Sequence, residues 1–121
     1  MRDIELKEFE WYFRDIIFRY YNEKGAEFEE NMLVDIMQTH LRYKHVDKSY
    51  IEELIRHVIP NLSIIVRADN KIIIDDVLER YQCKDCLYLS YIASREELRC
   101  SRCNSTNINK FVFRRRDEVQ R

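Results

Sequence analysis

The cysteines of this chain stand at 83, 86, 100 and 103, in the pattern C-x2-C-x13-C-x2-C. Two close pairs separated by a hairpin-sized insert are the layout of a four-thiolate metal site. Each C-x2-C turn aims two sulfurs at one point about 2.3 Å from a metal, and a hairpin between the turns closes the tetrahedron. The expected cofactor is Zn2+, one per chain, held by Cys83, Cys86, Cys100 and Cys103. A mononuclear iron site of rubredoxin type uses the same ligands, and a pair of disulfides in a secreted miniprotein is a further reading of the spacing. Met1-Arg2-Asp3-Ile4-Glu5 lacks the basic-then-apolar layout of a secretory leader, and disulfides within C-x2-C turns are strained or redox-active. The expectation is therefore a metal in a reducing, cytoplasmic setting. Four thiolates leave no open coordination position, and His40, His45 and His57 are remote from the cysteines in sequence, so the metal reads as structural. A unit of about 40 residues buries too little apolar surface to fold alone, and a metal supplies the missing free energy.

All four cysteines fall where the charge changes sign. Residues 1–80 carry 12 Lys and Arg against 17 Asp and Glu, a net of −5, whereas residues 81–121 carry 9 against 5, a net of +4. A step of this kind predicts two units with different surfaces. Four thiolates around a divalent ion add −2, which leaves the second unit only modestly basic. The chain of 121 residues holds one glycine. Folds rich in glycine turns, and glycine-rich phosphate loops, are thereby excluded. No run of about 18 apolar residues is present, so no membrane helix is expected.

Around the cysteines, Tyr81-Gln82 leads into the first turn and Leu87 to Ile92 is rich in strand formers. After the polar break Ser94-Arg95-Glu96-Glu97, Leu98-Arg99-Cys100 reads as the returning strand, and Lys110-Phe111-Val112-Phe113 as the last one. Two metal knuckles on a small antiparallel sheet make a zinc ribbon. The stretches Tyr81-Gln82-Cys83-Lys84-Asp85-Cys86 and Leu98-Arg99-Cys100-Ser101-Arg102-Cys103-Asn104-Ser105 resemble the short ribbons of archaeal transcription components. Examples are the smallest zinc-binding subunits of RNA polymerase and the ribbon of archaeal general transcription factor E. Those families place glycine after the second cysteine of each knuckle, where φ is positive. Here Leu87 and Asn104 stand there. Asparagine tolerates that conformation and leucine resists it, which predicts an irregular first knuckle.

The first 80 residues read as three helices and a hairpin. Helix one runs from about Asp3 to Lys24, ends at Gly25 as a C-cap, and carries the stripe Leu6, Phe9, Phe13, Ile16, Ile17 and Tyr20. Helix two spans roughly Glu27 to Arg42. Helix three starts at a capping box, Ser49-Tyr50-Ile51-Glu52, and stops at Pro60. Ile64 to Arg67 and Lys71 to Ile74 then form a hairpin about Asp69-Asn70. This is the order of a winged helix, and winged helix followed by ribbon resembles the domain order of the transcription factor E α subunit. The expected fold class is α+β: a winged-helix-like helical domain with a β-hairpin over 1–79, a small antiparallel β zinc ribbon over 80–116, and a tail over 117–121.

Helix three presents Tyr50, Glu52, Glu53, Arg56 and His57 outward. Carboxylates on the face meant for a DNA groove are repelled by phosphate, which favours docking on protein. The basic stretch Lys110, Arg114, Arg115 and Arg116, with Tyr81, Tyr88 and Tyr91 in the same unit, combines cations with stacking surfaces and predicts weak nucleic-acid contact. A second apolar side of helix one, Ile4, Trp11 and Phe18 with Tyr21 nearby, needs cover. In a chain this small that side reads as a partner face, most simply for a second copy, the alternative being that Trp11 packs under the ribbon or a terminus. No nucleophile–base pair, paired-carboxylate motif or open metal shell is legible, so no enzyme is expected. Two functions remain at this stage. One is a non-enzymatic zinc-binding component or modulator of transcription docking on RNA polymerase or another factor. The other is a DNA-binding regulator, dimeric through helix one. The abundance of Ile, Arg and Glu with little Gly resembles thermophilic archaeal or viral proteins.

Overall fold

A computed structural model describes residues 3–40 and 42–111. Among them are three helices, a short 3-10 turn and two three-stranded antiparallel sheets, an α+β arrangement. In chain order these are α1 (Asp3–Tyr20), β1 (Glu27–Glu29), α2 (Glu30–Met37), α3 (Lys48–Val58), the 3-10 turn Ile59–Asn61, β2 (Ile65–Ala68), β3 (Lys71–Ile74), β4 (Leu78–Cys83), β5 (Leu89–Ala93) and β6 (Ile108–Lys110).

The first sheet has the order β1-β3-β2, with Phe28 opposite Ile72 and Ile65 opposite Ile74. The alternating pattern of β3 turns Ile72 and Ile74 inward, where they meet Phe28 and the inner faces of the helices. The β2–β3 hairpin turns at Asp69, which holds φ at +55°, as the Asp-Asn pair anticipates. The second sheet has the order β5-β4-β6, with Tyr81 opposite both Ser90 and Lys110.

Several local expectations are corrected. Helix α1 ends at Tyr20, and Gly25 is not its cap. Gly25 takes φ of +89° in the turn into β1, where its N–H donates to Ile74 O at 2.8 Å. Residues 27–29, expected to be helical, form β1, because Ala26 and Phe28 find an open edge on β3. Helix α2 stops at Met37, and residues 42–46 continue in turns. Helix α3 begins one residue before the expected cap: Asp47 is the N-cap, makes no side-chain capping bond, and leaves Ser49 inside the helix. Residues 98–100 form no strand, because β4 already pairs with β5 on one side and β6 on the other.

One connected core runs through both sheets. Phe9, Phe13, Ile16 and Ile17 of α1 join Leu33, Ile51, Leu54, Ile55 and Ile72 on one side and Leu78, Tyr91 and Ala93 on the other. Helix α1 is thus sandwiched. Its second apolar side, expected to be a partner face, is occupied by the chain's own second sheet. Trp11 packs on Tyr88 and Tyr91, with ring centroids 5.8 and 5.5 Å away, and Phe18 lies 5.2 Å from Tyr91. Tyr21 stacks on Phe28 at 4.2 Å, while Ile4 lies in the first turn of α1.

Polar side chains of α1 also satisfy the outer edge of β5. Trp11 Nε1 donates to Leu89 O at 2.7 Å and Arg14 Nη1 to Tyr91 O at 2.8 Å. Covering an edge strand in this way keeps its carbonyls paired and prevents further strand addition.

Candidate metal centre

Strand β4 ends at Cys83 and delivers the chain into the first knuckle. Cys83 N donates to Tyr88 O at 3.0 Å, and Leu87 N donates back to Cys83 O at 2.9 Å. The second knuckle repeats the arrangement seventeen residues later. Cys100 N donates to Ser105 O at 2.8 Å, and Asn104 N to Cys100 O at 3.0 Å. Leu87 holds φ at +65° and Asn104 at +64°. The first knuckle is therefore as regular as the second, contrary to expectation. Its hydrogen bonds force leucine into the left-handed conformation rather than yielding to it.

The two turns converge. All four Sγ atoms lie within 4.8 Å of one another, with Cys83 and Cys103 at 3.6 Å and Cys86 and Cys100 at 3.5 Å. A tetrahedral metal with bonds of about 2.3 Å to sulfur places sulfurs about 3.8 Å apart, so the group fits such an ion. Among the described residues these four form the one cluster of His, Cys, Asp and Glu that could hold a metal. Cys83 and Cys100 are buried, and Cys103 is exposed.

Backbone amides favour thiolates here. Arg102 N and Cys103 N approach Cys100 Sγ at 3.4 and 3.5 Å. Burial pushes the Cys100 thiol up, but these amides and the neighbouring thiols outweigh it and bring it down to about 7. The amides of Tyr88 and Ser105 face Cys86 and Cys103 likewise and lower them, but burial and the neighbouring thiols outweigh these amides and leave both thiols above their usual range.

One clamp between the knuckles escaped the sequence. Asp85 accepts from Ser105 Oγ at 2.5 Å and from Asn107 Nδ2 at 3.3 Å, and Lys84 N donates to Asn107 O at 2.9 Å. These bonds hold the Asp85 carboxyl below its usual range, the Ser105 hydroxyl contributing most. A polar residue inside C-x-x-C facing Ser and Asn after the second pair was the available signal. A further bridge joins β5 to the second knuckle: Ser101 N donates to the buried Ser90 Oγ at 3.0 Å.

The other expected site residues are dispersed. Lys110 lies exposed on β6 with Nζ 3.2 Å from Glu79 Oε2. Arg114, Arg115 and Arg116 lie outside the described residues. Tyr91 is 3% exposed, its hydroxyl donating to the buried Asp15 carboxylate, and burial with that bond pushes it up to about 12. Tyr88 is flanked by Trp11 on one side and receives the Arg102 guanidinium 5.6 Å from its ring centroid. Tyr91 therefore offers no free stacking face, whereas Tyr88 and Tyr81 are half-buried. No described helix is long and apolar enough to cross a membrane.

No protein-family model, no curated protein and no solved structure matches this chain.

Proposed function

We propose that the chain is a non-catalytic, zinc-binding component or modulator of transcription that docks on RNA polymerase or another factor. Its metal would be one structural Zn2+ in a ribbon, held by Cys83, Cys86, Cys100 and Cys103. The closed set of four sulfurs on two matched knuckles supports a structural ion, and zinc is the common occupant of such a set. The order α1-β1-α2-α3-β2-β3, with β1-β3-β2 in the sheet, supports a winged-helix module for the first part of the chain.

The observation that carries docking on protein is the charge state of that module's would-be DNA face. Glu52 and Glu53 are exposed on α3, and Arg56 Nη2 is drawn to Glu52 at 4.0 Å. At the wing, Arg67 Nε sits 2.6 Å from Glu30 Oε1 and Lys71 Nζ 3.7 Å from Glu27 Oε1. Cations already engaged by carboxylates, beside further carboxylates, make a poor phosphate clamp. Nucleic-acid contact would be weak and left to Lys110 and the arginines at 114, 115 and 116.

Three measurements test this reading. Elemental analysis should return one zinc per chain, and the protein should copurify with RNA polymerase or a general factor from its source cell. Titration of duplex DNA with increasing salt should show weak, non-specific binding. A specific site with a steep salt slope would replace this reading with that of a DNA-binding regulator.

A further inference from the structure

Leu87 combines two properties that rarely coincide. It sits in the left-handed region at φ +65°, a conformation a leucine resists, and its side chain is 69% exposed. The strain positions the knuckle, which glycine or asparagine would do at less cost. A side chain this exposed buries little for the fold in return. Backbone strain retained at a surface position points to a role in recognition.

Its surroundings state which chemistry fits. Lys84, in the same knuckle, is exposed and has no carboxylate within ion-pair distance among the described residues. Arg102, exposed on the opposite knuckle, likewise has none, and its guanidinium rests over Tyr88, the residue after Leu87. Among the described residues that follow Lys84, the other cations are engaged: Arg95 with Asp75 and Asp76, Arg99 with Glu97, Lys110 with Glu79. Asp85 is turned to Ser105 and Asn107. The knuckles therefore present an apolar tip beside two cations that no described carboxylate neutralises, Lys84 Nζ donating to the Asn109 side-chain oxygen at 2.9 Å and Arg102 lying over Tyr88.

Bases bind such a surface poorly. Stacking needs an open aromatic face; Tyr91 is buried against Trp11 and Phe18, and Tyr88 is flanked by Trp11 and the Arg102 guanidinium. A peptide that alternates acidic and aliphatic side chains matches both features: its carboxylates pair with Lys84 and Arg102 while its apolar residues cover Leu87.

We propose that the metal knuckles form a docking surface, Lys84, Leu87 and Arg102, for an acidic–aliphatic peptide segment of a protein partner. This deepens the docking reading above by moving its contact from the helical unit to the knuckles.

The test is a backbone-amide NMR titration of the metal-loaded full chain with a synthetic peptide of alternating Asp and Leu. Saturable shifts are expected at the amides of Lys84, Leu87 and Arg102, and a Lys–Leu peptide of the same length should produce none. Leu87→Asn keeps a residue that tolerates positive φ, so the knuckle and its metal stoichiometry should persist while affinity for the Asp–Leu peptide falls at least tenfold. Absence of shifts at these amides, or unchanged affinity in Leu87→Asn, overturns the proposal. So does a single-stranded oligonucleotide that shifts the same amides at lower concentration than the peptide. If Leu87→Asn captures polymerase as well as the parent protein does, the knuckle surface fails while docking itself stands.

Discussion

At φ +65° the Leu87 β-carbon crowds its own carbonyl, and the knuckle tolerates this because Leu87 N must reach Cys83 O. Asn104 meets the same demand at lower cost, since its short polar side chain suits the left-handed region. Leu87→Gly removes the strain and keeps the hydrogen bond. It should stabilise the metal-loaded protein by about 1 kcal/mol after the entropic cost of glycine, which corresponds to roughly 4 °C in thermal midpoint for a chain of this size. Calorimetry showing a lower midpoint would mean that the leucine side chain contributes packing that the exposed position conceals. The cysteine positions were legible because metal geometry dictates their spacing. The regularity of the first knuckle was not, because propensity at residue 87 opposed it and the hydrogen bonds that overrule propensity lie with Cys83 and Tyr88.

Helix α1 is the element on which the two sheets depend, and its polar groups are as specific as its apolar ones. Arg14 is largely buried, donates to both Glu96 oxygens at 2.7 Å, and reaches Glu10 at 3.2 Å and Tyr91 O at 2.8 Å. Burial alone would raise the Glu96 carboxyl, but the Arg14 bonds and the Ala93 amide hold it below its usual range. A carboxylate whose folded pKa is depressed contributes stability that is full above the unfolded value. That stability is lost as pH falls through the folded one. Glu96→Gln should therefore cost about 2 kcal/mol at pH 7, and the gap between variant and parent should narrow below about pH 4.5. Denaturant melts of both proteins across this range, compared pairwise so that acid release of the metal affects both, check the sign. A gap that widens on acidification would refute it. Trp11→Glu, by the same packing, should loosen the helix–sheet contact and lower the thermal midpoint; loss of a dimer with unchanged stability would restore the partner-face expectation. The recurrence of Ile4, Trp11 and Phe18 at heptad spacing told that this side of the helix needs cover, but not what covers it. Strand β1 was hidden for a related reason: Glu27-Phe28-Glu29 suits helix or strand, and only the open edge of β3 decides.

On the scale of the whole molecule, the charge step near residue 80 marks a change of surface, while the core crosses it. Leu78, Tyr91 and Ala93 belong to the same buried cluster as Phe9, Phe13 and Ile55. The metal centre joins that cluster through one short route: Tyr88 supplies its carbonyl to Cys83 N, its amide faces Cys86, and its ring packs on Trp11. A metal held by these cysteines would, on removal, release four thiolates from one point and with them the knuckle that holds Tyr88. The second sheet is then held chiefly by its contacts with α1, through Leu78, Tyr91 and Ala93 in the shared core and the Arg14 bonds to Tyr91 O and Glu96. Once it loosens, α1 loses the cover over Trp11 and Phe18, at about 1.5–3 kcal/mol for each large side chain returned to water. That sum is a sizeable part of the 5–15 kcal/mol that typically holds a small protein together. Chelation, or Cys100→Ser, should therefore shift the emission of Trp11, the single tryptophan, to longer wavelength. It should also lower the midpoint at which the helical circular dichroism is lost, in one transition shared by both signals. If the helical signal melts at its original temperature while only the tryptophan responds, the two sheets stand on separate cores and α1 is held by the first alone.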